Sequence, residues 1–196
     1  MNEKLRKHFF SIQPLSDKEI EAIDETMTIQ DLKNGTVLLK EGETSNKSYF
    51  VLEGIIRQYY LIDGEEKVTD FFADEQWVIS LNSIDLTSPS THYLQCCSDC
   101  SVLIGNSEKG EELYKRFPNL GDIARKLMGK VFAEQQAKIE AFKINTPIIR
   151  YQNLLKFRPD LFQRIPQYQI ASYIGVTPES LSRIRKRIHK NMNKVA

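Results

Sequence analysis

The sequence predicts an α+β protein in which an antiparallel β-roll, a long helix and a helix-turn-helix follow one another. Three observations predict this order. Short strand-like runs separated by turn residues come first, an apolar pattern with helical spacing follows, and a basic stretch with the spacing of a helix-turn-helix comes last. We therefore divide the chain into a roll with N-terminal helices at 1–117, a long helix at 118–145 and a helix-turn-helix domain at 146–196.

The N-terminal part predicts helices followed by strands. Residues 3–26 show a helical pattern, and Ser16 and Glu19 have the spacing of a capping box. From about Met27 short apolar runs alternate with Gly, Asn and Asp, and the pair Asp63-Gly64 between two such runs is a strong hairpin signal. This pattern is typical of an antiparallel barrel or roll. The predicted strands are Thr36–Leu39, Ser48–Leu52, Ile55–Ile62, Val68–Phe72, Trp77–Leu81, His92–Cys97 and Ser101–Ile104.

After Pro118 apolar residues recur three and four positions apart for about 25 residues, which predicts one long helix. Its apolar stripe is wider than one small roll would cover, which favours packing against a second copy of the helix. Gly121 and Gly129 each cost about 1 kcal/mol in a helix interior and would suit a close approach of two backbones. The alternative is a single core helix in a monomer.

The charges and cysteines limit the classes of protein that fit. The formal net charge is +1, but residues 1–143 hold 17 Lys and Arg against 24 Asp and Glu, and residues 144–196 hold 10 against 2. A basic C-terminal domain predicts an anionic partner. We expect a cytoplasmic protein, because no run approaches the roughly 18 apolar residues of a membrane span, no signal peptide is evident, and three crowded cysteines form no disulfide framework.

The C-terminal stretch has the spacing of a helix-turn-helix. Thr146-Pro147 predicts the start of a preceding helix, Ile148–Phe157, which ends at Arg158-Pro159. Counted from Gln167, Ala171 is fifth, Gly175 ninth and Leu181 fifteenth. A small residue permits close helix crossing, a glycine permits the left-handed turn, and a leucine packs the second helix onto the first.

The second helix of this motif predicts a DNA-binding face. Thr177 is a good N-cap and Pro178 suits the first helical position. Arg183 can bind a guanine edge, and Glu179 can accept from a cytosine amino group. The candidate phosphate contacts are Arg185, Lys186, Arg187 and Lys190. The alternative is a solvated basic helix. The predicted DNA-binding set is Thr177, Glu179, Ser180, Ser182, Arg183, Lys186 and Arg187.

These features resemble the cyclic AMP receptor protein and fumarate-nitrate regulator (CRP/FNR) family of bacterial transcription regulators. Glu179-Ser180-Leu181-Ser182-Arg183 is similar to the family's Glu-x-x-Ser-Arg motif, and Val51–Gly54, Asp63–Glu66 and Ser98–Leu103 look like its roll hairpins. The resemblance covers nearly the whole chain. It implies a cyclic-nucleotide-binding-like β-roll (a double-stranded β-helix, or jelly roll), a dimerisation helix and a winged-type helix-turn-helix.

The resemblance also implies a function. It predicts a homodimer that regulates transcription by binding a palindromic site in double-stranded DNA, with RNA polymerase as a candidate partner. Glu179, Ser182 and Arg183 would read a half-site of TGA type with a central G·C pair. No arrangement of catalytic residues is evident in the sequence, so we expect binding and not an enzyme.

The sequence departs from the family members that bind cyclic nucleotides. Those carry Gly-Glu-Leu and later an Arg followed by Ser or Thr, whereas Ile79, Ser80 and Leu81 stand at the first place and Ser90 and Thr91 at the second. A buried phosphate needs a cationic or N–H partner. We therefore predict that no cyclic nucleotide binds. The roll could hold another, unidentified small-molecule effector or none, and these five positions are its predicted pocket.

Two alternatives stay open. The roll could be primarily a small-ligand module, or Cys96, Cys97 and Cys100 could form a redox or metal sensor, with Cys97 and Cys100 facing each other across a two-residue turn. Three cysteines are too few for a four-ligand cluster, and free cysteine is a normal buried residue. The three histidines are scattered. We therefore predict no metal site and no cofactor.

Overall fold

The computed structural model describes residues 1–80 and 88–192, and the chain forms two compact units. The first unit consists of Met1–Gln58 and Phe71–Gln135, and the second consists of Tyr59–Asp70 and Gln136–Ala196. The second unit therefore contains the tip of a β-hairpin together with the C-terminal helices. The three-segment division predicted from the sequence stays a prediction.

Eight helices and eight strands occur in the described residues. The helices are α1 Glu3–Ile12, α2 Asp17–Thr26, α3 Ser107–Arg116, α4 Pro118–Ile144, α5 Pro147–Phe157, α6 Pro159–Arg164, α7 Gln167–Tyr173 and α8 Pro178–Met192. The strands are β1 Thr28–Leu32, β2 Val37–Leu39, β3 Lys47–Glu53, β4 Ile56–Ile62, β5 Glu65–Phe72, β6 Trp77–Ile79, β7 Tyr93–Cys96 and β8 Cys100–Asn106.

The strands form two four-stranded sheets, which confirms the predicted β-roll. One sheet has the order β1-β8-β3-β6 and the other the order β2-β7-β4-β5. The β4–β5 hairpin turns at the predicted pair, where Asp63 has φ 53° and Gly64 has φ 79°. Positive φ at both central residues gives a turn whose twist matches the strands.

The first unit has two apolar cores, one on each side of the β1-β8-β3-β6 sheet. Inside the roll, Tyr49, Val51, Leu94 and Val102 are buried with their neighbours. On the other face, helices α1 to α4 contribute to a second cluster around Phe50. The predicted capping box is present at α2, where the Ser16 hydroxyl accepts from the Glu19 N–H and a Glu19 carboxylate oxygen accepts from the Ser16 N–H.

The long helix after Pro118 is confirmed as α4, and α5 follows its predicted cap, since Thr146 Oγ1 accepts from the Ile149 N–H at 3.4 Å. The predictions omitted β1, α3 and α6, and they carried β6 on to Leu81, which lies outside the described residues. The wing expected from the resemblance is also not found between Pro147 and Met192, where every described element is helical. Helix α6 begins directly after α5, with Pro159 at a position in the first turn where proline is tolerated.

Among residues 1–80 and 88–192, no helix is both long and apolar enough to cross a membrane.

Candidate nucleic-acid interface

The turn between α7 and α8 is built around Gly175. Its φ of +73° is in the left-handed region, where glycine avoids the steric cost of a Cβ atom. The N–H groups of Gly175 and Val176 donate to the carbonyls of Ser172 and Ala171, each at 2.9 Å. These two bonds satisfy carbonyls that the end of α7 leaves without helical partners.

The start of α8 is fixed by the Thr177 cap predicted from the sequence. The Thr177 hydroxyl accepts from the Ser180 N–H at 3.3 Å, and the Thr177 carbonyl accepts from the Leu181 N–H at 3.0 Å. Pro178 occupies the first helical position, where its missing N–H costs nothing. The first turn of α8 therefore has a defined direction relative to α7.

Four apolar residues hold the two helices together. Ala171 and Ile170 of α7 are completely buried, and Leu181 of α8 and Ile174 at the end of α7 are almost completely buried. Small Ala171 permits the close crossing that the sequence pattern predicted. The buried face of α8 thereby leaves the opposite face toward solvent.

The solvent face of α8 carries most of the predicted DNA-binding set. Six members of the set are exposed, and Ser180 is half-buried at the cap. The exposed members are Thr177, Glu179, Ser182, Arg183, Lys186 and Arg187. The pKa of the Glu179 carboxyl is lowered by hydrogen bonds, first with its own backbone N–H and then with Thr177, and the charge of Arg183 adds to the effect. An ionised Glu179 thus lies beside the Arg183 guanidinium at the N-terminal end of the helix.

The predicted phosphate contact Arg185 has a partner inside the motif. Its Nη1 atom donates to Gln167 Oε1 at 3.0 Å, which links α8 to the first residue of α7. Arg185 is exposed, so this bond leaves the side chain accessible. The sequence did not indicate this link, because Gln167 is 18 positions away.

Sequence reasoning also missed two side chains that hold the helix-turn-helix within the second unit. Arg150 of α5 donates to the carbonyl of Ile174 at 2.9 Å, and Ser172 of α7 bonds to the backbone of the β4–β5 hairpin. Neither residue belongs to a motif, and their partners are distant in sequence. No local signal could have found them.

The residues assigned to an effector pocket do not all line the same cavity, and the assignment stays a prediction. Ile79 and Ser80 line a cavity of about 430 Å³ bounded by the first sheet, α3 and α4, while Ser90 and Thr91 are not among its lining residues. Ser90 is buried in a turn, where its hydroxyl donates to the His92 carbonyl at 2.8 Å. Leu81 lies outside the described residues.

The roll interior is occupied by side chains of the protein. Tyr49 is buried there, and its hydroxyl donates to the Leu38 carbonyl at 3.3 Å. Burial raises the pKa of Tyr49 to about 12. Phe72 and Leu94 pack into the same cluster, and Arg57 donates from Nε and Nη2 to Gln95 Oε1.

Cys96 and Cys100 are buried in the roll core, and Cys97 is half-buried. A hydrogen bond with the Cys100 thiol, together with burial, raises the pKa of Cys96. The Cys100 thiol also donates to the carbonyls of Ser98 and Ile55, at 3.3 and 3.5 Å. Within residues 1–80 and 88–192, no three His, Cys, Asp or Glu side chains are grouped as a metal site requires.

Comparison with known proteins supports the same interpretation of both halves of the chain. The sequence pattern of the cyclic nucleotide-binding domain matches residues 29–117. The transcriptional activator protein Anr of Pseudomonas protegens is 24% identical over 192 residues, which span 90% of this chain and 77% of Anr. FnrA of Stutzerimonas stutzeri, also a transcriptional activator, is 23% identical with the same coverage. The chain is therefore similar to regulators of the CRP/FNR type.

A solved structure shows the CRP/FNR fold over most of the chain. A regulator of this family from Eubacterium rectale superposes with a TM-score of 0.69 at 16% identity, over 90% of this chain and 85% of that one. The chain thus has a jelly-roll-like domain, a long helix and C-terminal helices in the same order as that structure.

Proposed function

We propose that this protein is a transcription regulator of the CRP/FNR family that binds a palindromic DNA site as a homodimer. The exposed face of α8 carries the proposal. It presents Glu179, Ser182 and Arg183 near the helix start and Lys186 and Arg187 one turn later, on a helix whose direction is fixed by the Thr177 cap. A recognition helix reads bases from its N-terminal part and contacts phosphates with its flanks.

The exposed stripe of α4 supports the dimer. Its residues follow one another at alternating spacings of four and three, which is the a/d spacing of a coiled coil. The stripe consists of Met128, Phe132, Gln135, Ile139 and Phe142. Phe132, Ile139 and Phe142 are 61%, 48% and 46% exposed in the single chain. Burial of these side chains against a second α4 would remove a large apolar surface from water.

The same dimer would place two recognition helices on one face of the DNA. Half-sites bound by such dimers lie about one helical turn apart. The palindrome follows from the two-fold symmetry of the protein. RNA polymerase remains a candidate partner that follows from the family alone.

We further propose that the roll binds no cyclic nucleotide. Its interior is filled by Tyr49, Phe72 and Leu94, and Ser90 stands in a backbone turn where a phosphate-binding Arg would be needed. A different small effector would have to use another space, and the cavity of about 430 Å³ beside α3 and α4 is large enough for one. The buried positions of Cys96 and Cys100 support a packing role for these residues.

Selection from random duplex DNA tests the proposed function. With no ligand added and at about physiological salt, the wild type should enrich a palindrome with two TGA-like half-sites. Arg183→Ala should relax preference at one base pair per half-site, with a loss of about 1–3 kcal/mol in the binding free energy that discriminates between bases there. Lys186→Ala is the matched control: it should weaken binding to all sequences alike and reduce the salt dependence.

The outcomes separate the assigned roles. An unchanged site preference in Arg183→Ala would show that Arg183 does not read a base. If the wild type enriches no sequence, either alone or with a crude cell extract as a source of effector, the proposed function is wrong.

A further inference from the structure

Arg150 of α5 joins the ends of two other helices. Its Nη1 atom donates to the carbonyls of Phe142 and Asn145, at 2.9 and 2.8 Å, where α4 ends. Its Nε atom donates to the carbonyl of Ile174 at 2.9 Å, where α7 ends. Helix C-terminal carbonyls lack helical partners and attract cations, so one guanidinium stabilises both helix ends at once.

The Phe142 ring completes this joint. The Arg150 guanidinium lies 4.2 Å from the ring centroid, a distance at which a cation and an aromatic face attract. The same ring also lies against the turn of the helix-turn-helix. A Cβ atom added to Gly175 would be only 2.8 Å from Phe142 Cζ. The last turn of α4 and the turn before α8 are therefore in direct contact.

This joint connects the proposed dimer surface to the proposed reading surface. Ile139 and Phe142 belong to the exposed α4 stripe, and α8 begins at Pro178, three positions after Gly175. All of these residues lie in the second unit. The joint therefore holds the start of α8 in a defined position relative to the end of α4, whereas the face that α8 presents is set by its own cap and buried residues.

We propose that Arg150 is a positioning residue that sets the distance between the two recognition helices and so selects the spacing between half-sites. This inference rests on the proposed DNA binding by a homodimer. Arg150 itself would contact no base. Its contribution is confined to sites in which both half-sites are bound at the same time.

Lysine cannot replace arginine in this role. The joint uses a planar fork that donates in two directions while its face stacks on a ring, whereas lysine offers one compact ammonium. Arg150→Lys keeps the charge and loses the geometry. Arg116→Lys is the matched control, because the Arg116 guanidinium also lies over a phenylalanine, Phe117, at 5.5 Å, but in the first unit.

The test measures affinity for duplexes in which two selected half-sites are separated by a series of spacers, and for a duplex with one half-site. The wild type and Arg116→Lys should prefer one spacer length. Arg150→Lys should bind the best spacer about tenfold more weakly, with a flatter spacer profile, while its affinity for the single half-site is unchanged. Melting temperatures are measured in parallel.

Each other result decides against the proposal. An unchanged spacer profile in Arg150→Lys, with normal palindrome binding by the wild type, would overturn the positioning role alone. A parallel loss of single half-site affinity, with a lower melting temperature, would reduce Arg150 to a residue that stabilises the domain. If the wild type binds no palindrome, the proposed function is wrong and the spacing role is wrong with it.

Discussion

The Ser172 hydroxyl accepts a hydrogen bond from the Val68 N–H at 2.9 Å and donates one to the Glu66 carbonyl at 3.3 Å. In the described part of the chain, strand β5 is the last strand of its sheet, so its outer N–H and C=O groups meet no neighbouring strand there. The Ser172 side chain of the helix-turn-helix thus supplies hydrogen bonds that a neighbouring strand would otherwise make. A second link lies nearby along the chain, where Lys138 Nζ donates to both carboxylate oxygens of Asp70, at 3.0 and 2.7 Å.

Replacing Ser172 by alanine should open this contact. The substitution removes both hydrogen bonds and leaves the Val68 N–H without its partner, which costs about 1–3 kcal/mol locally. Hydrogen exchange followed residue by residue should therefore show faster exchange of the Val68 amide, by about tenfold or more. The amides inside the roll should keep their protection.

Ser172→Thr is the control for that measurement, because threonine keeps the hydroxyl. Its Val68 amide should exchange nearly as slowly as in the wild type. Equal exchange in the alanine variant and the wild type would mean that the contact is not formed in solution.

The parts of the fold that the sequence predicted are those with local causes. The Asp63-Gly64 turn depends on the backbone freedom of two adjacent residues, and the α8 start depends on Thr177 and the residues just after it. The helix-turn-helix spacing is similarly short in range, since Ala171 and Leu181 lie within one motif. Such signals survive without knowledge of the tertiary structure.

The missed parts depend on partners far away in sequence. Strand β1 pairs with β8 but has four exposed residues out of five, so it shows no alternating pattern. Helix α3 buries Leu113 and otherwise reads as a charged loop. The roles of Arg150 and Ser172 arise only when the end of α4 and the β4–β5 hairpin contact the same domain.

Replacing Gly175 by alanine should destabilise the second unit for two reasons. The φ of +73° strains any residue with a Cβ atom, by about 1–2 kcal/mol, and the new Cβ would also collide with Phe142. A double-mutant cycle with Phe142→Ala in urea unfolding separates the two terms. The double variant should lose less than the sum of the single variants; strict additivity would mean that the ring does not press on the turn.

Charges placed on the α4 stripe should dissociate the proposed dimer. Phe132→Glu together with Ile139→Glu puts two like charges per chain at positions that would face each other across a coiled coil. Sedimentation equilibrium should then report a monomer at concentrations where the wild type is a dimer. Binding to a palindrome should fall much more than binding to a single half-site.

The control for this experiment is Phe157→Glu, which alters a phenylalanine of α5 that is 67% exposed and lies outside the stripe. That variant should sediment like the wild type. A doubly charged α4 that remained dimeric would show that the subunits associate through another surface.

The stability of the protein should fall in mildly acidic solution partly because of His8. The Trp77 Nε1–H donates to His8 Nε2 at 3.1 Å, so that nitrogen must be unprotonated. Burial, and secondarily the charge of Lys130, lowers the pKa of His8 in the folded protein below its usual value of 6.5. The unfolded chain therefore binds a proton first, and this stabilisation, complete above about pH 6.5, is lost as the pH falls through the folded-state pKa.

Urea unfolding between about pH 8 and 5.5 measures this effect. The free energy of unfolding should decline with decreasing pH in the wild type and decline less in His8→Gln, whose amide oxygen can still accept from Trp77. His92 keeps part of the slope in both proteins, because burial lowers its pKa as well. His189→Gln changes an exposed histidine and is the control. If His8→Gln and the wild type have the same slope, His8 takes up its proton equally in the folded and unfolded chains, and the bond with Trp77 does not resist protonation.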